Sequence, residues 1–280
     1  MGPWFVEWRS SLLTSLGLGM ALGCGGSPAH DPSAGSEQHD GEPLAAGGRP
    51  FLVEGRPRTA EVSFLNAGWA RAVVPDVTAL DTEQRSELAL HYTKLGLMEH
   101  ASVAAFARFV LELLSLSAPA ELVRDAQRAL GDEIVHAELC FALASSYLGE
   151  SVSPGALPMD GVVVACSPFE IVRTAILECS VGETIAAVQA RLDRDVACDP
   201  EVRRVLTRIA EDEARHAELG WRFVHWAIKT RPPARAAALR RELEAIVRGE
   251  RAHTGGARAL AFSALIIPWM SALLAMPKAA

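Results

Sequence analysis

Aromatic residues are scarce in this chain of 280 residues: Phe, Trp and Tyr make up 6%, and there are only two tyrosines. Sheet-rich folds draw on aromatic and β-branched residues. Here Ala and Leu are abundant instead, which favours packed helices. Runs of Lys or Arg are also missing, and the formal net charge is −7. The basic footprint that nucleic acid demands is therefore absent, and no nucleic-acid partner is expected. The five cysteines include no Cys-x-x-Cys pair. What the chain does have is apolar residues, half of its length, enough to build a sizeable core.

The first 23 residues read as a targeting segment. Arg9 precedes "SLLTSLGLGMALGC", an apolar stretch too short for an ordinary membrane span, and the sequence turns polar directly after Cys24. This resembles a bacterial lipoprotein signal, which implies cleavage, lipidation of Cys24, export to the cell envelope and membrane attachment through a lipid anchor. Residues 24–50 are rich in Gly, Pro and Ser and hold one Leu and no aromatic residue, so a flexible tether is expected, with His30 and His39 solvated. Residues 51–80 form a lead-in with a short extended or hairpin segment, "FLVEGRPRTAEVSFL".

The character changes at Asp81. "DTEQ" offers an N-cap with Gln84 three residues later, the spacing of a capping box. Helical periodicity then predicts four helices, over 82–117, 119–148, 169–196 and 200–230. The first two and the last two are joined by short breaks, "SLSAP" and "ACDP". Between the pairs lies a long Gly/Pro-rich connection, 149–168. Short loops force antiparallel neighbours, and a connection this long can return along the whole length of the helices. The expected fold is all-α: a four-helix unit over 81–230 with a long crossover between its second and third helices. A C-terminal helical extension follows over 231–280. Its last apolar stretch, 257–276, is interrupted by Pro268 and is expected to dock on the helices, with a membrane span as the alternative.

Two stretches nearly repeat: "DEIVHAELC" at 132–140 and "DEARHAELG" at 212–220. On the inward stripe of each predicted helix stands one carboxylate, at Glu99, Glu133, Glu183 and Glu213, and His136 and His216 follow one turn after the second and fourth. On the third helix Glu178 is a rival to Glu183. Counted from the connecting loops, Glu99 lies at the height of Glu133 and His136, and Glu183 at the height of Glu213. Four buried carboxylates need compensation that two histidines cannot supply, whereas divalent cations can. Glu from two helices with Glu-x-x-His from two others is the di-iron or di-manganese constellation known in carboxylate proteins.

Residues 82–228, through Glu99, "EIVH", Glu183 and "EARH", resemble the ferritin-like superfamily of di-metal carboxylate proteins. The resemblance implies a ferritin-like four-helix bundle holding two iron (or manganese) ions. Glu133 and Glu213 would bridge them, Glu99 with His136 and Glu183 with His216 would complete one each, and Asp132 and Asp212 would orient the histidines from the facing helix. It also implies O₂ or peroxide chemistry, with oxidation of iron or a small substrate. The missing Cys-x-x-Cys removes the built-in electron donor that rubrerythrins carry, so an external donor is expected. The alternative is a non-catalytic metal-binding or structural lipoprotein with a vestigial site. Tyr92 is expected in the core, His100 in a structural role, Glu138 and Glu218 outside the site, and Cys140 and Cys179 as unpaired small apolar residues on opposite sides of it.

Overall fold

The computed structural model describes residues 49–65, 68–69, 71–164, 167–250 and 256–275. The targeting segment, Cys24, His30, His39 and Cys166 lie outside them. Among the described residues the chain is all-α apart from four two-residue strands.

Helix α1 runs Thr82–Ser115 and α2 Ala120–Leu148. The Asp81 capping box forms as expected: the Gln84 N–H donates to Asp81 Oδ1 at 2.8 Å, and the Asp81 N–H donates to Gln84 Oε1 at 3.0 Å. Gly149 ends α2 in the left-handed conformation, φ 83°, which glycine adopts without the steric cost a side chain would bring. The third rod is not one regular helix. It comprises α3 (Pro168–Ala175), a π-helical segment (Ile176–Gly182) and α4 (Glu183–Val196). Helix α5 spans Pro200–Lys229 and is capped by Asp199, whose Oδ1 accepts from the N–H groups of Glu201 and Val202. Packing is most extensive within the pairs α1–α2 and α4–α5, and α2 also faces α5.

The lead-in segment is pinned at several points. Strands β1 (Leu52–Val53) and β2 (Arg56–Pro57) form a hairpin whose two-residue turn, Glu54-Gly55, has positive φ at both positions. That geometry matches the twist of a tight hairpin. Strand β3 (Val62–Ser63) pairs antiparallel with β4 (Ser153–Pro154), which lies in the crossover after α2. The lead-in and the crossover thus hold each other in place.

The inward stripes of α2 and α5 are buried throughout, from Leu122 to Leu143 and from Val202 to Phe223. On α1, Leu95, Val103 and Val110 of the expected stripe are only partly buried. The helix buries Ala101, Ser102, Ala105, Phe109 and Glu112 as well. The reason is the lead-in: Phe51 and Val53 pack on Ala101 and Ala105, giving α1 a second apolar contact. Arg49, assigned by composition to the tether, is fully buried. The Gly/Pro-rich composition that marks the preceding stretch says nothing about a single side chain at its end.

After α5 come α6 (Pro233–Glu250), α7 (Gly256–Ala261), a second π-helical segment (Phe262–Ile266) and α8 (Ile267–Ala275). Gly256–Leu274 has the length and hydropathy of a membrane span. Here it lies against α4 and α5, burying Ala261, Phe262, Leu265, Ile266, Trp269 and Leu273, with the Trp269 ring tilted against Trp221, centroids 5.8 Å apart.

Candidate metal centre

The six residues expected from the sequence converge. Glu99 on α1, Glu133 and His136 on α2, Glu183 at the start of α4, and Glu213 and His216 on α5 are each at most 2% exposed. Two overlapping quartets form. Glu99, Glu133, His136 and Glu213 offer donor atoms within 4.8 Å of one another, and so do Glu133, Glu183, Glu213 and His216. Glu133 and Glu213 belong to both. His136 Nδ1 lies 3.8 Å from Glu99, 3.7 Å from Glu133 and 3.3 Å from Glu213. His216 Nδ1 lies 3.0 Å from Glu133, 4.0 Å from Glu183 and 3.4 Å from Glu213. The two imidazoles sit 5.9 Å apart.

Each histidine is held from behind by the facing helix. His136 Nε2 meets Asp212 on α5 at 3.1 Å, and His216 Nε2 meets Asp132 on α2 at 3.5 Å. A carboxylate partner places the proton on Nε2 and turns the Nδ1 lone pair inward, the arrangement that orients a metal-ligating histidine. Two arginines of α5 brace these acids. Arg208 contacts Asp212 and reaches Asp132 at 3.5 Å. Arg215 contacts Asp212 and lies 3.2 Å from Asp132.

The inward atoms are another matter. Both oxygens of Glu133, Glu183 and Glu213, Glu99 Oε2, and Nδ1 of both histidines are buried without a hydrogen-bond donor or acceptor. Buried polar groups are almost always satisfied, and leaving an ionised carboxylate unpaired costs several kcal/mol. Without a cation, protons must fill the gap. Burial first, and then Glu133, push the Glu99 carboxyl well above its usual range, and burial with Glu213 does the same to Glu183. Burial lowers the affinity of His136 for a proton, but Asp212, Glu133 and Glu213 outweigh it and hold the imidazole well above its ordinary value; Asp132, Glu133 and Glu213 do so for His216. The residues present fit a pair of divalent cations: four carboxylates balance four positive charges, and the free oxygens and nitrogens are the atoms such ions use.

Glu178 does not join the cluster. It lies in the π-helical segment and pairs with Arg49 at 2.9 Å and Arg108 at 2.6 Å. Glu138 pairs with Arg71, and His100 stands edge-on to Trp69 at 4.9 Å. Tyr92 is buried and stacked on Tyr147, ring centroids 5.8 Å apart. Cys140 and Cys179 are buried and form no disulfide. Glu218 lines a pocket of about 110 Å³ with Asp132, Arg215 and Arg222, and this pocket touches His216.

The residues that sequence reasoning missed are the basic ones, Arg49, Arg108, Arg208 and Arg215, together with Gly220. A Cβ at Gly220 would lie 2.8 Å from backbone atoms of Cys179 and Ser180, so α5 meets the π-helical segment there backbone to side-chain-free backbone. Arg215 was readable in principle: it stands one turn or less from both acids of "DEARH". Comparison of the chain with protein-family models, with curated proteins and with solved structures finds no match.

Proposed function

We propose that this chain is a ferritin-like di-metal carboxylate protein of the cell envelope, with iron as the metal, that performs oxidoreductase chemistry of the ferroxidase type with O₂ or peroxide. The observation that carries this is the set of inward donors in two overlapping quartets, buried and free of hydrogen bonds, while the outward nitrogens of the same histidines are engaged. A purely structural polar core would satisfy those atoms internally.

In this reading Glu99 and His136 hold one ion, Glu183 and His216 the other, and Glu133 and Glu213 are shared. A redox-active pair bound there supplies the electrons that reduce O₂ or peroxide. The protein's own part is threefold. Carboxylates keep two oxygens each available, so their contacts can adjust as charge changes. Asp132 and Asp212 fix the imidazole tautomers. The apolar wall, with Phe106 edge-on to His216 at 5.2 Å, keeps bulk water away. The pocket beside His216 has room for only a few waters' volume, which suits a small reactant. Export and a lipid anchor at Cys24 belong to the same proposal and rest on the N-terminal sequence pattern alone.

The test is a metal count followed by oxidation. Metal-free protein is loaded with ferrous iron under anaerobic conditions, the bound iron is measured per chain, and air is admitted. About two irons per chain and a new near-ultraviolet charge-transfer absorption are expected. Two ions held with no change in air would mark a metal-sequestering protein. No bound metal, together with unchanged stability of Glu133→Ala and Glu213→Ala, would overturn the proposal.

A further inference from the structure

The half of the centre built on Glu183 and His216 is braced by a side chain from outside the four helices. Arg49 enters from the lead-in with no exposed surface. Its Nε donates to Glu178 Oε2 at 3.0 Å and its Nη2 lies 2.9 Å from the same oxygen. The guanidinium covers the rings of Phe106, 5.1 Å from the centroid, and Phe109, 4.6 Å. Its backbone is fixed too, since the Ser102 hydroxyl donates to the Arg49 carbonyl at 2.7 Å. The other oxygen of Glu178 accepts from Arg108 at 2.6 Å and from the Leu52 N–H at 3.4 Å. Arg108 in turn donates to the Leu52 carbonyl at 2.7 Å. Side chain and backbone of the lead-in therefore converge on one carboxylate.

That carboxylate belongs to the π-helical segment Ile176–Gly182, which ends one residue before Glu183. A π-turn widens the helix and is held only where surroundings impose it; such turns recur at functional sites. Two contacts impose it here. On one side Gly220 lets the α5 backbone press against Cys179 and Ser180. On another, Arg49 and Arg108 anchor Glu178 to the lead-in and α1. The same guanidinium seats Phe106, whose ring meets His216. The hydrogen bonds and ring contacts of these two routes do not include Glu99 or His136.

We infer that Arg49 is a positioning residue for the Glu183–His216 half of the centre: by clamping Glu178 it holds the π-helical segment that sets Glu183, so that one of the two metal positions depends on the seated lead-in. This rests on the di-metal reading above. It also gives the lead-in a role beyond linking the bundle to the N-terminal segment.

The experiment is a titration of the full metal-free chain with cobalt(II), whose visible spectrum reports the geometry of each position. The proteins are wild type, Arg49→Met and the double variant Arg49→Met/Glu178→Met. If wild type takes up no cobalt, the di-metal reading fails and the clamp fails with it. If wild type binds two ions, Arg49→Met is expected to bind one as before and the other roughly tenfold to a hundredfold more weakly, with the spectrum of that position altered. The double variant removes the clamp without leaving Glu178 as an uncompensated carboxylate, while Arg108 keeps Glu112 at 3.9 Å and the Leu52 carbonyl at 2.7 Å. It is expected to fold, to melt below wild type because Arg108 loses a partner, and to retain the weakened second position. Recovery of both positions in the double variant, or two unchanged positions in Arg49→Met, would overturn the inference. Should Arg49→Met fail to fold, the double variant carries the same readout.

Discussion

At the scale of single residues, the centre is a set of charges that cannot all be present without a cation. Glu99 makes this testable in the metal-free protein. Burial and Glu133 hold its carboxyl protonated well above the usual glutamate range. Its proton is bound more tightly in the folded chain than in the unfolded one, so its contribution to stability is complete at low pH and lost as pH rises through the folded value. Glu99→Gln mimics the protonated form. The metal-free variant is therefore expected to match wild type in acid and to exceed it in thermal stability as pH rises, while losing one metal position. Loss of stability at all pH values in thermal melts would contradict this.

Asp212 and Asp132 make a paired prediction. Each orients one histidine, and both are held below the usual aspartate range. Asp212→Asn removes the charge behind His136 and Asp132→Asn the charge behind His216. Each is expected to weaken its own metal position by roughly tenfold to a hundredfold, read by competition with a chelating dye. An equal effect of either variant on both positions would show that the two histidines are not independently held.

At the scale of elements, two glycines in sister helices forecast opposite outcomes. Gly220 of α5 sits where a Cβ would be 2.8 Å from the backbone of the π-helical segment. Gly220→Ala must push α5 and that segment apart, at a cost of about 1–3 kcal/mol. Gly131 of α2 has nothing within 4 Å of the position a Cβ would take. Gly131→Ala is expected to gain up to about 1 kcal/mol from helix propensity alone. Denaturant unfolding of the two variants measures both signs.

The elements also show what the sequence could and could not convey. Glu99, Glu133 and Glu213 were legible because a charge on an apolar stripe of period 3.6 stands out, and because the repeat at 132–140 and 212–220 doubles the signal. The third rod was ambiguous for a physical reason. Glu178 and Glu183 are five residues apart, and regular α-helical spacing cannot turn both the same way. The π-helical winding, with bonds closing at i+5, buries both. Nothing local in "ILECSVG" announces it. The clue was elsewhere: a second buried glutamate needs a cation, and Arg49 directly before "PFLV" supplies it. The Gly/Pro-rich composition around Arg49 concealed that pairing, because tether composition is a property of a window and burial is a property of one side chain.

At the scale of the whole molecule, the centre is enclosed. Four rods surround it, the lead-in covers α1, and the pocket beside His216 is small and lined by ion pairs. A bulky chelator cannot reach the donors in this form. For the proposed iron-loaded protein, the rate at which the chelator removes iron is expected to be independent of its concentration, since opening of the protein or release of the ion sets the pace. A rate proportional to chelator concentration would show an open path. The C-terminal stretch, whose composition suits a membrane, lies against α4, with Trp269 tilted against Trp221 of α5, and buries part of its apolar surface there.

The near-repeat of nine residues carries a last consequence: its two copies are not interchangeable. Copying the first onto the second would put Val in place of Arg215, removing the guanidinium that contacts both Asp132 and Asp212. It would also put Cys in place of Gly220, driving a side chain into the π-helical backbone. The copies share the residues that form the centre, but Arg215 and Gly220 meet partners particular to α5, so a chain carrying the first stretch at both places is expected to be less stable than wild type.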